Sequence, residues 1–204
     1  MDYFNEEERA KQMAFAAKRD RLFSPVITLL VSLGATANQI SIIGVVFLLL
    51  ACVLPHDYAY TATFFMALHV FCDGIDGPLA RRLGSAHAGG SLIDIVVDQL
   101  GVVFLPAAAI YHFGAWGPAM VVFSSSYLIF IALAVYANEL GVELRKFIRS
   151  KYLMFLLYLG SLHSKNDMVT YFCGAFAVYY SIEACEALRR IYLFHDTRPR
   201  GPKY

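Results

Sequence analysis

Charge is scarce in this sequence. Only 16% of its 204 residues are charged, whereas a soluble domain carries about 25%. Hydrophobic residues make up 58% and the mean hydropathy is +0.54, which excludes an ordinary water-soluble domain. Neither sign of charge dominates: 17 Lys and Arg stand against 16 Asp and Glu, for a net charge of +1. That balance supplies no field for nucleic acid. The cysteines lack any CxxC spacing. Cys52, Cys72, Cys173 and Cys185 all fall in apolar segments and read as small buried hydrophobes, not as a disulfide or zinc set. No cleavable signal is evident, because the first 21 residues mix charges of both signs. Internal repeats and low-complexity linkers are also missing. The length suits one domain of several membrane helices and is too short for two folded domains.

Long apolar runs are what the chain has instead. Residues 3–23 intersperse Phe4, Met13, Phe15, Leu22 and Phe23 with Lys11, Lys18, Arg19 and Arg21. That pattern predicts an amphipathic helix lying along a membrane surface. Ser24 and Pro25 offer an N-cap and first turn for a second short helix over residues 26–33. Gly34 stops it, and Thr36 can cap the next. Six spans follow, over residues 38–54, 58–80, 90–111, 116–138, 152–163 and 168–188. The expected class is an all-α integral membrane protein. Its parts are a juxtamembrane segment (residues 1–33), a six-helix domain (34–191) and a tail (192–204). With six spans, all but one of the 17 Lys and Arg residues share a side, Lys165 being the exception. The positive-inside rule makes that side cytoplasmic, together with both termini.

The chain is organised around D-G-I-D-G-P-L-A-R-R-L-G-S-A-H-A-G-G-S-L-I-D-I-V-V-D, from Asp73 to Asp98. Asp73, Asp76, Asp94 and Asp98 sit in otherwise apolar helices, where carboxylates are costly and mark function. Asp73 and Asp76 are three residues apart and Asp94 and Asp98 four apart, so each pair projects from one helix face. A hairpin turning near residues 84–88 sets Asp76 level with Asp94 and Asp73 level with Asp98. Four carboxylates converging in a low dielectric call for divalent cations, and two ions about 3.5–4 Å apart suit four carboxylates and a diphosphate.

The stretch has the form D-x2-D-G-x2-A-R-x8-G-x3-D-x3-D. It resembles the signature of the CDP-alcohol phosphotransferases, membrane enzymes of phospholipid synthesis. All eight fixed positions match: Asp73, Asp76, Gly77, Ala80, Arg81, Gly90, Asp94 and Asp98. The resemblance implies Mg²⁺ or Mn²⁺, with Asp73, Asp76 and Asp94 as ligands and Asp98 near both ions, and a homodimer. It assigns the last Asp, here Asp98, as general base toward the acceptor hydroxyl. Gly77 and Ala80 leave a flat helix surface for ribose or cytosine, although small residues also serve helix packing. Arg81 suits phosphate, or an interface arginine. Residues Thr36 to Ser41 resemble the family's Pro-Asn-x-(Leu/Ile)-Thr approach to the first span, with Ala37 in place of Pro. Thr36 and Asn38 are therefore nucleotide candidates. His69 reads as a donor to Asp73 or an interhelical hydrogen bonder, and His87 as a phosphate contact or a solvated loop residue.

The acceptor region reads Tyr136, Ala137, Asn138, Glu139, with Arg145 further on. Glu139 and the tyrosines suit a neutral or cationic acceptor, which cation–π contacts can hold. The D-G-I-D-G-P wording also resembles bacterial phosphatidylcholine synthases, which usually have a longer gap after the Arg. The expected partners are thus a CDP-linked lipid such as CDP-diacylglycerol, a small alcohol acceptor and the bilayer of a plasma or inner membrane, with no nucleic acid. CMP is released. The alternatives are head-group transfer from CDP-choline or CDP-ethanolamine to diacylglycerol, and a divalent-cation or proton transport bundle.

Overall fold

The computed structural model describes residues 6–85 and 88–197 as seven helices and one 3₁₀ turn. In order these are α1 (Glu6–Ser32), α2 (Ala37–Val53), the turn His56–Tyr58, α3 (Ala59–Arg82), α4 (Ala88–Phe113), α5 (Gly117–Glu139), α6 (Lys151–Ser164) and α7 (Val169–Thr197). No strand occurs among the described residues. His87 lies outside them.

Local chemistry sets several boundaries. The Thr36 hydroxyl accepts from the Gln39 amide at 3.3 Å, and the Gln39 side chain accepts from the Thr36 amide at 2.9 Å. This reciprocal box starts α2. Asp167 Oδ1 accepts from the Val169 and Thr170 amides at 2.9 and 3.0 Å, which starts α7. After α3 the chain turns on Gly84, at φ +64°, a conformation that favours glycine. The Ser85 amide then reaches back to the Ala80 carbonyl at 3.0 Å.

Two expectations need correction. No break occurs at Ser24–Pro25: α1 runs through Pro25 as one helix. Tertiary packing outweighs the lost amide, because Phe23, Val26, Ile27 and Leu30 form one stripe against Ile75 and Leu79 of α3 and Ile40 of α2. The Phe23 and Phe71 rings meet edge to face at 5.6 Å. Second, Cys185 is exposed, not buried, on the outer face of α7. In addition, α7 continues to Thr197, into the stretch read as a tail.

Among the described residues, two helices are long and apolar enough to cross a membrane by length and composition, over Leu92–Phe113 and Gly117–Glu139. A third candidate is the pair Phe15–Ser32 and Ala37–Val53, bent by 107° at its break. Carboxylates and arginines dilute α3, and α6 has only 14 residues. Many large apolar side chains face outward, among them Ile42, Val46, Val121, Ile129, Leu156 and Val178. Such an exposed apolar surface needs a cover.

The main core joins α5 and α7 through aromatic rings. Tyr180 packs edge-on to Tyr127 at 4.8 Å and lies 5.9 Å from Phe130. Its hydroxyl donates to the Ile148 carbonyl at 2.7 Å and accepts from the Ser150 amide at 3.2 Å. The Tyr179 hydroxyl accepts from the Ile148 amide at 2.9 Å. These contacts hold the segment before α6, and so set where α6 begins.

Helices α2 and α3 approach closely at Gly44. A Cβ there would stand 2.9 Å from Cys72 Cβ, and the Gly44 carbonyl accepts from His69 Nδ1 at 3.0 Å. Cys72 Cβ is fixed to backbone and cannot swing aside. Gly44→Ala is therefore expected to destabilise the protein by about 1–3 kcal/mol, read as a lowered melting temperature in detergent. An unchanged melting temperature would mean that the two helices are not this close.

Candidate active site

Helices α3 and α4 form a hairpin that carries the four aspartates. Asp73 and Asp98 face each other across it. Between them stands the ammonium of Lys151, the first residue of α6. Lys151 Nζ donates to Asp98 Oδ1 at 2.9 Å and to Asp73 Oδ1 at 3.5 Å. The Lys151 side chain is only 9% exposed. The Tyr152 hydroxyl donates to Asp73 Oδ2 at 3.3 Å. The Lys151 ammonium also lies 5.4 Å from the Tyr152 ring centroid and 5.9 Å from that of Phe155.

The second pair opens toward a cleft of about 420 Å³. Asp76 and Asp94 line it, with Thr36, Asn38, Gly77, Ala80, Arg81 and Gly90 among their neighbours. Asp76 is buried, and both of its oxygens are engaged. Ser41 donates to Oδ2 at 2.6 Å, and the Gly77 amide donates to Oδ1 at 2.7 Å. Each oxygen keeps a second lone pair. Asp94 is exposed to the cleft.

Of the four carboxylates, Asp73 and Asp98 share the Lys151 ammonium, while Asp76 and Asp94 line the cleft. Among the described residues, no group of three or more His, Cys, Asp or Glu side chains is arranged to hold an ion. The physical reason is charge. Like charges do not gather without a cation between them, and here an ammonium neutralises Asp73 and Asp98. The donor set still fits hard divalent cations, being carboxylate oxygen only, and Lys151 stands where positive charge is required.

The remaining candidates divide. Thr36 and Asn38 reach the cleft despite Ala37, which lines it too. His69 bonds to the Gly44 carbonyl and not to Asp73. Arg81 borders the cleft but is held by Asp20 of α1, through Nε at 3.0 Å and Nη2 at 2.5 Å. That guanidinium keeps the Asp20 carboxyl below the usual carboxylate range. Tyr136 is paired with His195 at 3.2 Å, and Arg145 with Glu183 at 2.9 Å. Neither lines the cleft of Asp76 and Asp94, and nor does Glu139.

Sequence reading missed Lys151, Tyr152, Ser41 and Asp20. Lys151 carried one usable signal: it opens a short apolar helix, where a boundary lysine and an inward one look alike. Ser41 sits one turn into α2, on the same face as Gly44, and only the fold reveals its partner.

The family model described as CDP-alcohol phosphatidyltransferase matches residues 34–182. A phosphatidylcholine synthase of Brucella melitensis is 33% identical over 102 residues, 48% of this chain and 37% of that protein. A phosphatidylinositol phosphate synthase of Cutibacterium acnes is 27% identical over 104 residues, 49% of this chain and 50% of that protein. An archaetidylinositol phosphate synthase of Pyrococcus horikoshii is 36% identical over 77 residues, 35% of this chain and 38% of that protein. The matched stretch thus spans half or less of each relative's own length.

Proposed function

Because the chain belongs to the CDP-alcohol phosphatidyltransferase family, we propose that it transfers a phosphatidyl group from CDP-diacylglycerol to a small hydroxyl acceptor, releasing CMP. The observation that carries this is the cleft where Asp76, Gly77, Ala80, Arg81, Gly90 and Asp94, six of the eight signature residues, come together with Thr36 and Asn38. The cytidine lies along Ala80, beside Thr36 and Asn38 at the start of α2, and the diphosphate lies over Gly77. Arg81 meets phosphate oxygens.

Asp73, Asp76, Asp94 and Asp98 would hold Mg²⁺ or Mn²⁺. Held there, such ions would supply the positive charge that a diphosphate and a departing CMP require. The chain itself positions and shields. Ser41 and the Gly77 amide fix the plane of the Asp76 carboxylate. Tyr152 and Lys151 fix those of Asp73 and Asp98, and the Phe155 ring lies beside the Lys151 ammonium. Asp98 accepts the proton of the acceptor hydroxyl. The acceptor oxygen bonds to the phosphatidyl phosphorus, and the bond from that phosphorus to the CMP oxygen breaks. Positioning and charge neutralisation supply most of the rate.

In this reading α2–α7 cross the bilayer as six spans. The 107° bend before α2 lays α1 along the cytoplasmic surface, and the cleft opens to the cytosol as part of a homodimer. The acceptor is a neutral or cationic amino alcohol, in keeping with the phosphatidylcholine synthases among the relatives. Radiolabelled CDP-diacylglycerol supplied with choline, ethanolamine, serine, glycerol 3-phosphate or inositol phosphate tests it. Labelled phosphatidylcholine with Mg²⁺ or Mn²⁺ present is the expected product. A product formed only from a phosphorylated polyol sinks the acceptor assignment. Product from CDP-choline and diacylglycerol alone reverses donor and acceptor.

A further inference from the structure

Helix α1 precedes the stretch that the family model matches, residues 34–182. Even so, it is docked on the signature helix. Phe23, Val26, Ile27 and Leu30 pack against α3 and α2, and this places the preceding turn of α1 over Gly77. A Cβ built on Gly77 would meet Arg19 Nη2 at 3.4 Å and Arg81 Nη1 at 3.5 Å. Two guanidinium groups therefore border one gap, above the part of α3 that has no side chain. The gap adjoins the cleft lined by Gly77, Arg81 and Asp94.

The two arginines are not equally satisfied. Arg81 is bonded by Asp20 through two nitrogens. Arg19 makes no hydrogen bond or ion pair with any described residue, and its Nε is buried without a partner. The Phe15 ring lies 5.9 Å from the guanidinium carbon. Asp20 and Asp94 are within Coulombic reach of it, but neither bonds it. A buried guanidinium N–H without an acceptor is costly, and a second cation beside it adds to the cost. An anion with several oxygens in the gap resolves both, because a planar fork pairs with phosphate oxygens two at a time.

We infer that Arg19 is a second phosphate-binding arginine, which clamps the diphosphate of the nucleotide donor from α1 while Arg81 holds it from α3. This rests on the nucleotide reading of the cleft and extends it to a helix outside the family match. It makes α1 part of the donor site and not only a membrane float. Donor binding then tightens the docking of α1 on α3.

The test measures binding of CDP and of cytidine by titration calorimetry, with Mg²⁺, on the full chain in a zwitterionic detergent. Arg19→Gln should weaken CDP about 10-fold or more and leave cytidine unchanged, since a charge-assisted bond is lost only where phosphate is present. Arg19→Lys should recover part of the loss. Lys18→Gln, an exposed charge on the same helix, should change neither. Wild-type affinity of Arg19→Gln for CDP overturns the inference, as does an equal loss for CDP and cytidine, which would mean that Arg19 only docks α1. If the unaltered protein binds no CDP, the nucleotide reading itself falls, a result distinct from either.

Discussion

Replacing Lys151 with Met should lower the stability of the metal-free protein by about 3–5 kcal/mol, the cost of stripping a buried charge of its partner. The Lys151 ammonium is the positive group bonded to Asp73 and Asp98, at 3.5 and 2.9 Å. The carboxylates are themselves only 15% and 25% exposed. Met keeps the volume and the packing on Phe155, so the change isolates charge. Without the ammonium, the two carboxylates share a dry site and repel. A divalent cation supplies what was removed. The expected result is therefore a variant that melts well below the wild type in EDTA and regains much of the difference with excess Mg²⁺ or Mn²⁺. Thermal unfolding in detergent reads both arms. A variant as stable as the wild type in EDTA, and indifferent to metal, would show that Lys151 does not stand at a cation position.

Asp98→Asn should reduce phosphatidyl transfer by about 10²–10⁴-fold, the range for losing a positioned general base. Asn keeps the shape and can still accept from Lys151, which also retains Asp73 as a partner. The fold should therefore survive while proton acceptance is lost. Asp94→Asn should also abolish transfer, for a different reason. Asp94 is the exposed carboxylate facing Asp76 across the cleft, where phosphate charge must be balanced. The measurement is CMP release from CDP-diacylglycerol, beside a check that each variant inserts and unfolds normally. Metal-dependent CMP release at the wild-type rate from either variant would refute the proposed roles. It would reopen the transport reading, in which acidic residues line a path and perform no chemistry.

Short-range features were readable from the chain alone. The spacings from Asp73 to Asp76 and from Asp94 to Asp98 are helical periods, and Gly84 marks the turn between their helices. Thr36 and Gln39 announce the start of α2. These depend on neighbours within a few residues, where backbone geometry leaves few options. Pro25 shows the limit of that logic. Its local preference is to begin a helix, yet the stripe from Phe23 to Leu30 buries so well on α3 that the helix passes through it. The acceptor candidates show another limit. Tyr136 and Arg145 lie close in sequence to the end of α5, but their side chains are taken up by His195 and Glu183 of α7.

By itself, the sequence determined an apolar all-helical chain, the hairpin that carries four aspartates, and membership of a family that handles CDP-linked alcohols. A fixed pattern of residue types at helical spacing is enough for each of these. Only the tertiary structure decided how that acidic charge is balanced. Lys151 meets Asp98 across 53 residues of chain, and Asp20 meets Arg81 across 61. Contacts at such separation follow no period. They depend on which helix docks where, and here aromatic and aliphatic packing far from the carboxylates sets that.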